Sequence, residues 1–201
     1  MSSGALVWQW LLGGAFGVLG VAAVLDWRRH RDVERRFLTL SIVLLGCVGM
    51  LSSLAATIGD PDGALTDLSL VLFVASGWAF FRFRTGLMPV SRRTLQAVDV
   101  LVATTAVLLL AAYIPSGGSS RVGAFQEAAA LLLLVVWGGC VLEPIVTFWR
   151  RSGKLPRVQR ARLRALVEGY AGIVLVLIMI VGVSLLNGGG VFSQISYVIS
   201  L

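Results

Sequence analysis

Six stretches of this chain run without a charged residue: 5–25, 37–59, 68–81, 100–120, 128–142 and 169–201. No other feature narrows the fold as far. A helix climbs about 1.5 Å per residue, so about 20 apolar residues cross the ~30 Å hydrocarbon layer of a bilayer. Residues 6–25 and 37–58 reach that length with no charge at all. One such run is compatible with a buried helix of a soluble domain, but six in 201 residues are not. Composition agrees, with 57% hydrophobic and 13% charged residues, against roughly 25% charged in soluble domains. The expected fold is all-α. It is a single polytopic helical membrane bundle over residues 1–201, with full spans near 5–27, 37–58, 64–83, 95–114, 125–149 and 161–186. A seventh run, 191–201, covers only ~16 Å at helical rise, about half a membrane. A helix ending there would leave carbonyls and a carboxylate in hydrocarbon, so the chain is expected to be cut from a longer one.

Charge sorts the connections. Arg28, Arg29, Arg31, Arg35 and Arg36 lie between the first two runs, and Arg82, Arg84, Arg92 and Arg93 between the third and fourth. Arg150, Arg151, Lys154, Arg157, Arg160, Arg162 and Arg164 lie between the fifth and sixth. The alternate connections hold Asp60, Asp62 and Asp67, then Arg121 with Glu127, then the neutral NGGG at 187–190. Positive connections stay in the cytosol, which predicts an external amino terminus. Trp8, Trp10 and Tyr113 then fall at the outer interface, and Trp27 and Trp149 at the inner one. Arg82 and Arg84 are placed to snorkel to the inner headgroups. The first run is followed by WRRHR and preceded by no positive charge, which is the reverse of a secretory signal. Cys47 and Cys140 sit inside apolar runs and read as small buried side chains. Lys154 is the one lysine among 17 basic residues, a bias of GC-rich bacterial genomes. The expected location is a bacterial inner membrane.

Catalytic signatures are missing: there is no HExxH, GxSxG, P-loop or dinucleotide fingerprint. The single histidine, His30, lies among loop arginines, so a bis-histidine haem and a histidine-ligated intramembrane metal are excluded. Lys154 lies in a connection, which excludes a retinal Schiff base. The chain is therefore not expected to be an enzyme, and no cofactor or metal is expected.

Carboxyl groups at membrane depth are functional candidates by default. Glu143 precedes Pro144 and lies six residues before Trp149, roughly 9 Å inside the inner interface. Pro144 cannot donate to the carbonyl of Cys140, which opens the helix beside the carboxyl. Two readings stand side by side: a polar hinge or signal-sensing point, or an ion pair with an inner-side arginine in a merely bent helix. Glu168 follows Arg164 by one turn and has a ready i,i+4 partner there. Asp99 stands within two turns of Arg92 and Arg93. Ser193, Ser196 and Ser200 share one face of the last run and suit helix packing. Gly13 and Gly17 have the GxxxG spacing that admits a homodimer. Arg157, Arg160 and Arg164 share the face entering the sixth helix. They either set topology or hold anionic headgroups at the membrane surface, at about 1 kcal/mol each. Charge held against a bilayer is unsuited to nucleic acid.

The stretch WRRSGKLPRVQRARLRALVEGYAG, the seven-helix arrangement and the small neutral turn before the last run resemble the seven-transmembrane amino-terminal sensor region of bacterial signalling proteins. The resemblance implies a membrane-embedded sensory input module for signal transduction, as in two-component systems. A cytosolic histidine kinase, diguanylate cyclase or phosphatase effector would follow residue 201. The chain departs from that pattern in lacking the end of helix 7 and the effector. The alternative reading is a small transporter or channel subunit, whose sign would be matched broken helices in two repeats. Only one proline-broken helix is found. A lipid-modifying enzyme is third, and would need more converging polar groups than Glu143.

Overall fold

A computed structural model describes residues 3–30, 32–58, 64–112, 120–152 and 157–186. Among them there are six helices and no strand: α1 (Ser3–His30), α2 (Val33–Ile58), α3 (Ala64–Leu87), α4 (Arg92–Ala112), α5 (Ser120–Ser152) and α6 (Arg157–Leu186). Four contain stretches long and apolar enough to cross a membrane: Arg35–Ala55, Ala64–Leu87, Arg92–Ala112 and Phe125–Arg151. The seventh run, with Ser193, Ser196 and Ser200, lies outside the described residues.

Several helices extend past their apolar runs, and capping explains part of this. Ser91 Oγ accepts the backbone N–H of Thr94 at 3.1 Å, and its carbonyl accepts that of Leu95 at 3.1 Å, so α4 starts three residues before the expected Leu95. Asp32 does similar work for α2, with its carbonyl accepting the Arg36 N–H at 3.1 Å and its carboxylate holding Arg35 at 3.1 Å. Arginine is a good helix former, so basic segments expected as loops are wound into helix ends.

Contacts between helices give their relative directions. Arg35 meets Asp26, Thr39 Oγ1 donates to the carbonyl of Ala23, and Val43 faces Gly20. The α1 number falls as the α2 number rises, so the two form an antiparallel hairpin. Phe73 meets Trp137 and Phe80 meets Phe148, so α3 and α5 run parallel.

Helix α3 is the axis of the bundle. Its backbone packs beside α2, α4 and α5 and its Phe80 reaches Tyr170 of α6, whereas α1 packs beside α2 alone among the described residues. Half of the α3 span is buried, against 17% for α4. Its inward face is Ser69, Leu70, Phe73, Ser76, Gly77 and Phe80, the spacing of one helix stripe. Gly77 is required there, because a Cβ would stand 2.7 Å from Cδ1 of Trp137. Trp137 lies against that gap, stacked on Phe73 with centroids 4.5 Å apart and rings 17° from parallel.

Candidate functional site

Arg82 and Arg84 are two residues apart on α3, hence roughly 200° apart around its axis. One faces α4 and the other α5. Arg82 Nη2 donates to Asp99 Oδ2 at 2.5 Å, and Trp78 Nε1 donates to Asp99 Oδ1 at 2.8 Å. The Arg82 guanidinium carbon also lies 5.4 Å from the Trp78 ring centroid, within cation–π range. Both oxygens of Asp99 are thus held by α3. On the other side, Arg84 Nη2 meets Glu143 Oε1 at 2.8 Å, and Thr147 Oγ1 donates to the same oxygen at 3.0 Å. Arg84 Nη1 donates to the carbonyl of Met88 at 3.3 Å. The Arg84 side chain is 11% exposed and that of Glu143 42%. A guanidinium this deeply buried needs a counter-charge, and for Arg84 that is the Glu143 carboxylate.

This pair is incompletely satisfied. Glu143 Oε2 and Arg84 Nε are both buried without a hydrogen-bond partner among the described residues, as is Arg82 Nε. A carboxylate with one oxygen committed and one open can accept a further donor, and an ion pair short of partners is sensitive to small shifts of its helices. Next to Glu143, Pro144 is fully buried inside α5, which continues through it from Ser120 to Ser152.

Further along α3 lies a layer of buried polar side chains. Ser41 Oγ is 2.7 Å from the Ser76 carbonyl and 2.6 Å from Tyr170 Oη. A carbonyl only accepts, so the single Ser41 proton goes to Ser76 and Tyr170 donates to Ser41. Ser76 Oγ donates to the Phe73 carbonyl at 2.6 Å and accepts Trp137 Nε1 at 3.3 Å. Tyr170 stacks on Phe80 with centroids 3.9 Å apart. The layer joins α2, α3, α5 and α6 at one level.

These contacts correct several expectations. Arg82 and Arg84 do not snorkel along α3; each turns sideways to a carboxylate on a neighbouring helix, where opposite charges offset each other's cost of leaving water. Asp99 pairs with Arg82 and Trp78 in place of Arg92 and Arg93, both exposed, which stand farther down α4. Glu168 is exposed and makes no ion pair with Arg164 among the described residues; a basic residue preceding an acidic one at i,i+4 is the weaker order. Glu143 does meet an arginine, Arg84. Of the basic face on α6, Arg160 is half-buried and Arg164 exposed, while the side chain of Arg157 lies outside the described residues. Gly13, Trp8, Trp10 and Tyr113 also fall outside the described side chains.

Trp78, Thr147, Ser41, Ser76, Tyr170 and Trp137 were not legible as site residues. Serines and aromatics in apolar runs look alike whether they pack or connect. One signal was present for the arginines: two cations two residues apart on a spanning helix cannot both face the same surroundings. Comparison with protein families, with curated proteins and with solved structures returns no match.

Proposed function

We propose that these 201 residues form a membrane-embedded sensory input module of a bacterial inner membrane, with six spanning helices and an external amino terminus. It couples a small-molecule or lipid-side signal to a cytosolic signalling output carried outside them, as in two-component systems. The observation that carries the reading is the double attachment of α3, to α4 through Arg82–Asp99 and to α5 through Arg84–Glu143. Both pairs lie toward the ends of α3 and α5 where the arginines gather, so a change in helix packing inside the bundle alters the basic connections. Four apolar helices and the alternation of strongly basic connections with connections that hold at most one basic residue support the membrane placement. With 16 of the 17 basic residues in alternate connections, a cysteine introduced at Ser2 in a Cys47→Ala, Cys140→Ala background should react with an impermeant thiol reagent in intact cells. Reaction only after permeabilisation would reverse the topology.

The function is tested in sealed proteoliposomes by thiol labelling. Single cysteines on the inward face of α3, at Ser69, Phe73 and Phe80, should resist impermeant reagent from either side. A cysteine at Arg93 should label from the cytosolic side at a rate that changes about fivefold with Glu143→Gln, the scale of a modest allosteric coupling. Labelling of the α3 face from both sides, with the Arg93 rate unmoved, would identify a transport path and refute a sensor.

A further inference from the structure

Between α1 and α2 a cleft of about 370 Å³ opens to the surface, lined by Gly17, Gly20 and Val24 on one side and Val43, Gly46 and Met50 on the other. Arg28 closes one end of the lining. We infer that this cleft holds one acyl chain of an anionic phospholipid, with the lipid phosphate on Arg28. The site rests on the membrane placement above and is independent of the sensor reading.

Three observations converge on that occupant. The first is length. From Gly17 to Arg28 is 11 residues along α1, or ~16 Å at helical rise, half of the ~30 Å hydrocarbon layer and therefore the depth of one leaflet. The second is the lining. It is glycine, apolar side chains and the Cys47 thiol along the leaflet depth, with a cation only at the end where the other basic residues of α1 and α2 stand. A headgroup would lie at that end. The third is charge. Asp26 and Asp32 are both engaged by Arg35, whereas Arg28 and Arg29 are exposed and have no ion pair among the described residues. A phosphate supplies what they lack, and arginine recognises phosphate through its fork of donors. Because α1 packs beside α2 alone among the described residues, a lipid in this cleft would cement the attachment of the first helix to the bundle.

Gly17 is the position for the test. A Cβ there has nothing within 4 Å, so Gly17→Leu starts in open space at the wall of the cleft and adds bulk where the acyl chain would lie. The protein, purified in non-ionic detergent, is titrated with phosphatidylglycerol and with phosphatidylcholine of identical chains, and intact complexes are weighed by native mass spectrometry. The first phosphatidylglycerol should bind about fivefold more tightly than phosphatidylcholine, the discrimination expected of one arginine at a membrane surface. Arg28→Gln should abolish that preference, and Arg151→Gln should leave it intact. Gly17→Leu should weaken both lipids about tenfold, as if about two chain methylenes had lost their burial. A phosphatidylglycerol with a photoreactive chain should crosslink to the segments around Gly17–Val24 and Val43–Met50. Unaltered lipid binding by Gly17→Leu would overturn the proposal, as would an equal loss of preference in Arg151→Gln. A dimer of the parent that becomes monomeric in Gly17→Leu, with lipid binding unchanged, would make the occupant a second copy of the chain.

Discussion

Truncating Trp137 to alanine should destabilise the protein by about 3–5 kcal/mol, the range for emptying a buried aromatic site. The side chain is 2% exposed, stacks on Phe73, fills the space left by Gly77 and donates to Ser76. In a bilayer, helix association gains little from the hydrophobic effect and depends on close packing and interhelical hydrogen bonds, both of which are lost here. The complementary change is Gly77→Ala. Its Cβ would meet Trp137 Cδ1 at 2.7 Å, and that ring is buried and already stacked on Phe73, so the expected cost of shifting it is about 1–3 kcal/mol. In a Trp137→Ala background that cost should nearly vanish, because the atom it meets is gone. Unfolding in mixtures of mild detergent and dodecyl sulfate measures all three. Additive costs would mean that the α3–α5 contact is not as described.

Glu143→Leu should cost about 3 kcal/mol and Arg84→Leu about 2 kcal/mol, by the logic that a stranded buried charge is worse than no charge. The order follows what each side chain keeps. Arg84, only 11% exposed, loses its one carboxylate, whereas Glu143, at 42%, keeps the hydrogen bond from Thr147 once its partner is gone. That remaining bond is also why the second figure lies below the usual range for breaking a buried pair. The double variant Arg84→Leu, Glu143→Leu should recover at least half of the larger loss, since both charges leave together. Insertion should be unaffected, and the same unfolding assay reads the cycle. A double variant as unstable as the sum of the singles would show that the two side chains do not act as a pair.

Much of the fold was legible because bilayer thickness acts directly on the sequence: uncharged runs of about 20 residues locate helices whatever their neighbours do. Helix ends were less legible. Ser91 caps α4 and brings Arg92–Thr94 into the helix, a local hydrogen bond that hydropathy does not register. Partner choice was least legible. Glu143 was identifiable as a carboxyl at depth, yet nothing near it in sequence points to Arg84, which the parallel packing of α3 and α5 brings alongside from 59 residues away. Glu168 shows the opposite error, a local pairing rule applied where the side chain faces outward. The polar layer of Ser41, Ser76 and Tyr170 is visible only in three dimensions, because each member alone resembles an ordinary packing residue.

The central claim is that the Arg84–Glu143 pair sets the arrangement of α5 relative to α4 at the basic end of the bundle. Spin labels on cysteines at Arg93 and Arg151, in a Cys47→Ala, Cys140→Ala background reconstituted in nanodiscs, give that separation by pulsed dipolar spectroscopy. The account predicts a second distance in Glu143→Gln, populated about fivefold more than in the parent, and return of the parental distribution in the charge-swapped Arg84→Glu, Glu143→Arg protein. A single, identical distance in all three proteins would contradict it.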